Sequence, residues 1–485
     1  MNAIKRSLIV VVILLSSCLF HQTVQATHLR AAFIKVQQIS FRTVRITVEG
    51  YSGTGSAVRF GEGLLDFGDG SEPFMLPALE YNVHTTFIGG ATTTEPIEYN
   101  FSPEAAVVRF TLEHTYASSG QYLVSYDETG RNEGIINIDD SGNTAFYMET
   151  QFILRNDSRF YHTPQPLAPQ YFFFPTVEQQ SSIAYNLGAY DPSDYKLRYE
   201  LVPNKQDRET EVLNFQLPES VALNRLNGLF TWDGVFLGLI SPGEYIYAVR
   251  INQFDGDIQM GYMTMDIQII VEDGDRILAL RDDQELNEDN RIVVLPGEQH
   301  QIQVTLEGDD FIEDTLMISG ELVGSENLEW STTETFKGRV GTIVLKPTAD
   351  ILRDNPYLIS VRAFVNAPSQ STGTQRLLRD INYLVYTRDI EDVDPDPGII
   401  TSLPGSDESD LLVYPNPTTR FLNVEGISSD LQSLVLYDLR GEVIEQIRLS
   451  GQNRIDLTLF ESGVYFYSLL DADREVKKGK IILSK

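Results

Sequence analysis

The chain has 485 residues, too many for one hydrophobic core, and its length points to about three domains. It is 42% apolar and 22% charged, as folded proteins are, yet 69 Asp plus Glu face 37 Lys plus Arg, a formal charge of −32. That field repels phosphate backbones and anionic bilayers, which excludes nucleic acid as a partner and opposes docking on a membrane surface. The single Cys, Cys18, leaves no disulfide framework and no Cys-rich zinc site.

Residues 1–26 read as a secretory signal. Lys5 and Arg6 supply the basic start, residues 7–15 (SLIVVVILL) form an apolar stretch too short to span a bilayer, and Ala26 ends a small-residue cleavage site. The alternative is Leu15-Ser16-Ser17-Cys18, which resembles a bacterial lipobox in which Cys18 is lipidated. Both routes leave the cytoplasm. No later run reaches about 18 consecutive apolar residues, so no transmembrane segment is expected.

From residue 27 onward the dominant period is two. Residues 43–48 (TVRITV), 245–251 (YIYAVRI) and 301–306 (QIQVTL) alternate between faces and are rich in β-branched and aromatic side chains. Gly, Asn, Asp and Pro clusters punctuate the runs at sandwich-strand intervals. The fold class expected is all-β: tandem Ig-like β-sandwich domains followed by a small C-terminal β-sandwich.

The segment 27–150 holds residues 65–71 (LDFGDGS) and 114–124 (HTYASSGQYLV). Asp69-Gly70 is a tight-turn signal, and His114 and Tyr116 share one strand face. The two motifs resemble the PKD domain, a seven-stranded Ig-like sandwich, from which the long insert 74–106 departs. The opening residues 27–32 (THLRAA) resemble surface proteins of gliding Bacteroidetes. Asp66 and Asp69 either flank a cation or cap their own turns.

The segment 151–273 carries residues 189–201 (AYDPSDYKLRYEL), 226–233 (LNGLFTWD) and 266–271 (DIQIIV). This order resembles the cadherin-like or Ig-like modules of bacterial surface proteins. The resemblance implies calcium on Asp191, Asp194 and Asp233, which would supply oxygen ligands. Ser193 and Asp194 stand where the family often has Asp-Gly-Asp, so that set is incomplete. The run 171–174 (YFFF) reads as a buried strand or as a sugar-stacking platform. Residues 274–390 alternate again and are expected to form a further β-sandwich, of unknown family. Residues 391–411, mixing Pro, Gly, Ser and acid, read as a linker, since they bury too little apolar area to offset ordering.

The last segment, 412–485, begins with Tyr414-Pro415-Asn416-Pro417. It continues with turn signals at Gly441 and Gly463, then Val464 and Tyr465, and ends in a basic strand with Lys478 and Lys480. It resembles the type A C-terminal sorting domain of the Bacteroidetes type IX secretion system. The resemblance implies the type IX secretion machinery as partner and passage to the outer surface or the medium. This segment holds 9 basic and 10 acidic residues, so the acidity of the chain lies in 27–411.

Chemistry is sparse. His84, His114, His162 and His300 show no ligand spacing, and no nucleophile elbow occurs. The function expected is a non-catalytic secreted or cell-surface protein, an adhesive or structural stalk. Its partners would be surface glycans or other surface proteins. The alternatives are a carbohydrate-binding protein and an unrecognised hydrolase within 274–390, where a spatial pair of carboxylates is not readable from sequence.

Overall fold

The computed structural model describes residues 29–483 except 55–59, 99–104, 158, 168–172, 179–181, 219–220, 234–240, 257, 285–289, 309–314, 367–374, 389–398, 401–411, 415–419, 426–430, 438–442, 450–453, 461–462 and 472–473. The expected signal features Cys18 and Ala26 lie outside the described residues, as do Pro415, Asn416, Pro417 and Gly441. Among the described residues there is no α-helix; strands are joined by turns and two short 3-10 segments. Residues up to Thr401 form one compact unit and Ser402–Lys485 a second.

The first sandwich begins with β1 (Leu29–Gln38) and β2 (Thr43–Gly53), then β3 (Leu64–Asp66) and β4 (Phe74–Met75). A hairpin of β5 (Val83–Ile88) and β6 (Ala91–Pro96) follows, then β7 (Ala105–Thr115), β8 (Gly120–Glu128) and β9 (Phe146–Leu154). One sheet runs β1-β2-β7-β5-β6 and the other β4-β3-β8-β9. Alternation makes the core: Val44, Ile46 and Val48 point inward from β2, while Arg45 and Thr47 face out. They meet Leu65, Val124, Tyr126 and Phe152 from the facing sheet. The insert 74–106 contributes the β5–β6 hairpin, whose β5 runs parallel to β7.

In the second sandwich, Lys196–Val202 pairs with Gly243–Asp255, which pairs in turn with the 25-residue strand Ile258–Asp282. The opposing sheet joins Ser182–Asn186, Leu229–Asp233 and Val221–Asn224. Phe230 stacks on Tyr247 across the two layers, centroids 4.3 Å apart. The third sandwich packs Ile302, Val304 and Ile343 of one sheet against Ile359, Val361 and Tyr383 of the other.

The strand Ile258–Asp282 belongs to all three. It pairs with β9 at Tyr262–Met263, with β1 at Asp266–Ile267, and in parallel with Phe173–Glu178. Its last five residues pair with His300–Gly308 of the third sandwich. The expected divisions at 150 and 273 therefore both fall inside strands. Within the expected linker, Ile399–Ile400 pairs with Leu223–Asn224 of the second sandwich.

Where the first two sandwiches meet, polar groups are buried in pairs. Arg131 donates both terminal nitrogens to Asp266, at 2.9 and 2.6 Å, and both side chains are only 2% exposed. Asn204 Nδ2 adds a third donor to Asp266 at 2.8 Å. Glu149 collects Lys205, Arg250, Tyr147 and Tyr262 nearby. Removing one partner of such a pair strands a buried charge. Arg131→Met is expected to lower unfolding free energy by about 3–5 kcal/mol, read as a fall in the urea midpoint.

Glu128 is buried and, among the described residues, has no cationic partner. Tyr126 Oη and the Gly61 N–H both donate to its Oε2, at 2.8 and 3.3 Å. Burial outweighs these bonds and pushes the carboxyl from its ordinary 4.5 up to about 8. The folded state thus holds a proton that the unfolded chain releases between those values, and stability falls as pH rises through that window. Glu128→Gln is expected to raise the melting temperature at pH near 8 and to leave it little changed at pH near 4.5. A pH series of thermal melts on both proteins checks this.

Candidate functional site

The two motifs of the first sandwich meet in space. Asp66 and Asp69 cap their own turns, accepting from the N–H groups of Gly68 at 2.7 Å and Ser71 at 3.0 Å. Gly68 sits at φ 76°, and a Cβ there would lie 2.1 Å from the Leu123 carbonyl oxygen, so only glycine fits. His114 stacks on Phe67 with centroids 3.9 Å apart and places Nε2 2.8 Å from Asp69 Oδ2. Tyr116 donates to the Phe67 carbonyl at 2.9 Å. Burial would raise the Asp69 carboxyl, but hydrogen bonds from Ser71 and His114 outweigh it and hold the group at about 2. The cluster is a clamp that closes one end of the sandwich.

Asp191 opens the turn between Ala189–Tyr190 and Lys196–Val202. One carboxylate oxygen accepts the Ser193 N–H at 2.6 Å and the other accepts Gln253 Nε2 at 2.5 Å. Burial pushes this carboxyl up to about 7, against the lowering effect of the Gln253 bond. Gln253 Nε2 also reaches the His162 carbonyl at 2.7 Å, and its Oε1 accepts from Tyr161 Oη. Asp191 therefore braces Tyr161 and His162 through Gln253. Asp194, in the left-handed region at φ 57°, turns to the third sandwich. Its carbonyl accepts from Asn355 Nδ2 at 2.6 Å, and its carboxylate lies 3.8 Å from Arg353 Nε.

Calcium requires several oxygen ligands converging on one point. Here the Asp191 oxygens are taken by nitrogen donors and Asp194 faces a guanidinium, so the two do not fit the ion. Asp233 pairs by its backbone with Ser182, and its side chain lies outside the described residues. Among the described residues, no group of three or more His, Cys, Asp or Glu converges as metal ligands would.

The Asp191 turn separates two cavities. One, about 250 Å³, lies between the second and third sandwiches and is lined by Tyr190, Tyr199, Arg353 and Leu358, among others. Arg353 there is saturated: it bonds Glu321 through both terminal nitrogens, donates to the Asn355 and Pro356 carbonyls, and sits 3.6 Å over the Tyr357 ring. It ties the two sandwiches together. The other cavity, about 550 Å³, lies over the outer face of β1, β2, β7 and β5. Its Lys35, Arg45 and Arg109 were not singled out from sequence, since they lie one to a strand, each between buried apolar neighbours. Outward basic positions on successive strands were the available signal.

In the C-terminal unit, Leu412–Tyr414, Phe421–Glu425 and Arg454–Asp456 form one sheet. Val443–Arg448, Leu431–Tyr437, Gly463–Asp471 and Arg474–Leu483 form the other. Leu422 and Ile455 of the first share a core with Leu434, Leu469 and Ile481 of the second. Of the motif residues, Tyr414 pairs by backbone with Asn423, Val464 with Ile482 and Tyr465 with Ile481. Gly463 starts its strand opposite Leu483, while Lys478 and Lys480 lie on the edge strand opposite Ser468 and Phe466. Tyr465 sits edge-on to Phe460, centroids 6.0 Å apart.

Among solved structures, the chain is similar to many, and three serve as examples. These are the Dpr2 Ig1-Ig2 complex with DIP-Theta (8% identity, 74% of this chain and 100% of that chain, TM-score 0.17), the human Desmocollin-1 ectodomain (12%, 82% and 79%, TM-score 0.17) and the S-layer protein rSbsC (8%, 92% and 65%, TM-score 0.15). At such TM-scores the likeness carries no argument. No curated protein matches the chain. Residues 412–484 match the family described as the secretion system C-terminal sorting domain, and this match supports a chain exported by type IX secretion to the cell surface or extracellular space.

Proposed function

We propose that this is a non-catalytic surface or secreted protein, an adhesive or structural stalk delivered by type IX secretion. The observation that carries the reading is the sorting-domain match over 412–484, which accounts for most of the second compact unit, Ser402–Lys485, as an address. The first unit then is the cargo. Its acidic charge suits a face exposed outside the cell. A stalk must resist bending, and one continuous strand through three sandwiches, braced by buried ion pairs, supports that use. The clamp of Phe67, Asp69, His114 and Tyr116 supports a PKD-like first sandwich, and the Asp191 turn supports a cadherin-like or Ig-like second one. Signal cleavage at Ala26, with Cys18 lipidation as the alternative, completes the route.

Deletion of 412–485 is expected to trap the protein inside the outer membrane. Fractionation of cells carrying the full and truncated chains checks this, with mass spectrometry of the mature ends. Surface display that survives the deletion would sink the address. Calcium is not a resident of the Asp191–Asp194 turn in this reading. A calcium titration followed by thermal melting is expected to leave the transition in place, because only an ion bound by the folded state raises it. An upward shift abolished by Asp191→Ala would restore the ion.

A further inference from the structure

The 550 Å³ groove is chemically unlike the rest of the chain. Its floor is the outward face of four neighbouring strands, and the register sets the side chains in rows. Lys35 of β1 stands opposite Thr47 of β2, Thr47 opposite Thr111 of β7, and Thr111 opposite Thr86 of β5. The flanking row holds Glu49, Arg109 and His84, and Gln37 and Arg45 pair on the other side. The wall comes from the second sandwich: His162, Gln165, Tyr190 and Pro192. It is fixed to β1 by the Val36 N–H bond to Thr163 Oγ1 at 3.0 Å and to itself through Asp191 and Gln253.

Among the described residues, no carboxylate lines this groove, although the chain carries −32. Glu49 lies on the same outward face as Thr47, covered to 7% exposure, and is shared by Lys35 at 3.2 Å and Arg109 at 2.7 Å. Two cations thus answer one buried anion. Arg45 pairs with Glu113 at 2.9 Å and remains 42% exposed. His84 reports the resulting field: burial lowers its pKa first, and Arg109 and Lys35 lower it further, against Glu95 and Glu49. Between the cations lie hydroxyls already oriented, with Thr47 Oγ1 2.8 Å from Thr111 Oγ1 and His84 Nε2 2.9 Å from the same oxygen.

We infer that this groove binds an acidic saccharide, with sugar carboxylates on Lys35, Arg45 and Arg109 and sugar hydroxyls on the threonine row. The volume is that of a small-ligand site, about 300–1,000 Å³. Tyr190 offers an aromatic wall to a sugar ring. The strongly acidic body repels a dense polyanion whose charges crowd within a Debye length of about 8 Å of it, so the favoured occupant carries separated charges among neutral hydroxyls. A uronic-acid oligosaccharide has that pattern; an acidic peptide lacks the hydroxyls. The inference deepens the adhesive reading by naming a ligand class, and it does not depend on the export route.

Calorimetry on the purified full chain tests it at physiological salt, with trigalacturonate, neutral galactotriose and triglutamate as probes. Trigalacturonate is expected to bind, and the other two about tenfold more weakly or not at all. Thr86→Glu places a carboxylate in the threonine row without breaking an ion pair and is expected to weaken binding at least about tenfold with the melting temperature kept. Arg45→Gln, which removes only a partly exposed pair, is expected to weaken binding while folding persists. Absence of trigalacturonate binding, equal binding of galactotriose, or binding untouched by Thr86→Glu would overturn the site. Equal binding of triglutamate would overturn the saccharide class. Cell fractionation is read separately, so failure of the ligand and failure of the export address remain distinct.

Discussion

The strand Ile258–Asp282 is the constraint on which the first compact unit depends. A strand has two hydrogen-bonding edges, and this one uses them on different partners along its length. Gly243–Asp255 occupies one edge through residue 271, while β9, β1 and Phe173–Glu178 take turns on the other. Beyond them its end enters the third sandwich beside His300–Gly308. Since each partner fixes a register, and a slip of one residue would reverse every side chain, the sandwiches cannot shift along it independently. Asp266, buried at the point where β1 pairs, gains Arg131 and Asn204 only in that register.

This arrangement explains where polar chemistry occurs. The junctions between sandwiches carry ion pairs and amides beside small apolar clusters, Leu226 with Leu358 and Leu384, and Ile135 with Val212 and Ile246. Glu149, Asp266 and Arg353 each bind partners from a different sandwich. Such pairs add little net stability over apolar packing, but they penalise a wrong docking heavily, since any misplacement leaves a charge buried alone. The junctions also create the two cavities, with the Asp191 turn standing between them. A residue expected to hold a cation instead holds a wall, because amide nitrogens occupy both its oxygens.

Much of the fold was legible from the chain. Alternation in 43–48 placed Val44, Ile46 and Val48 inside, as found, because period two is a local property of extended backbone. The turn at Asp69-Gly70 followed from residues that tolerate left-handed backbone. Asp273-Gly274, a pair of the same residue types, lies instead within an unbroken strand. There, pairing of Asp273 with Thr176 of a parallel neighbour overrides the local preference.

By itself, the sequence determined the all-β class, the two-faced alternation of runs such as 43–48, the sorting tail with its motif order, and the acidity of residues 27–411. These are fixed by residues close together along the chain. Only the tertiary structure decided that one strand serves three sandwiches, that Asp191 braces Gln253, and that Lys35, Arg45, His84 and Arg109 face one groove. Those facts join residues from several strands, and their contact is set by sheet order and register, which the local pattern of any one strand does not encode.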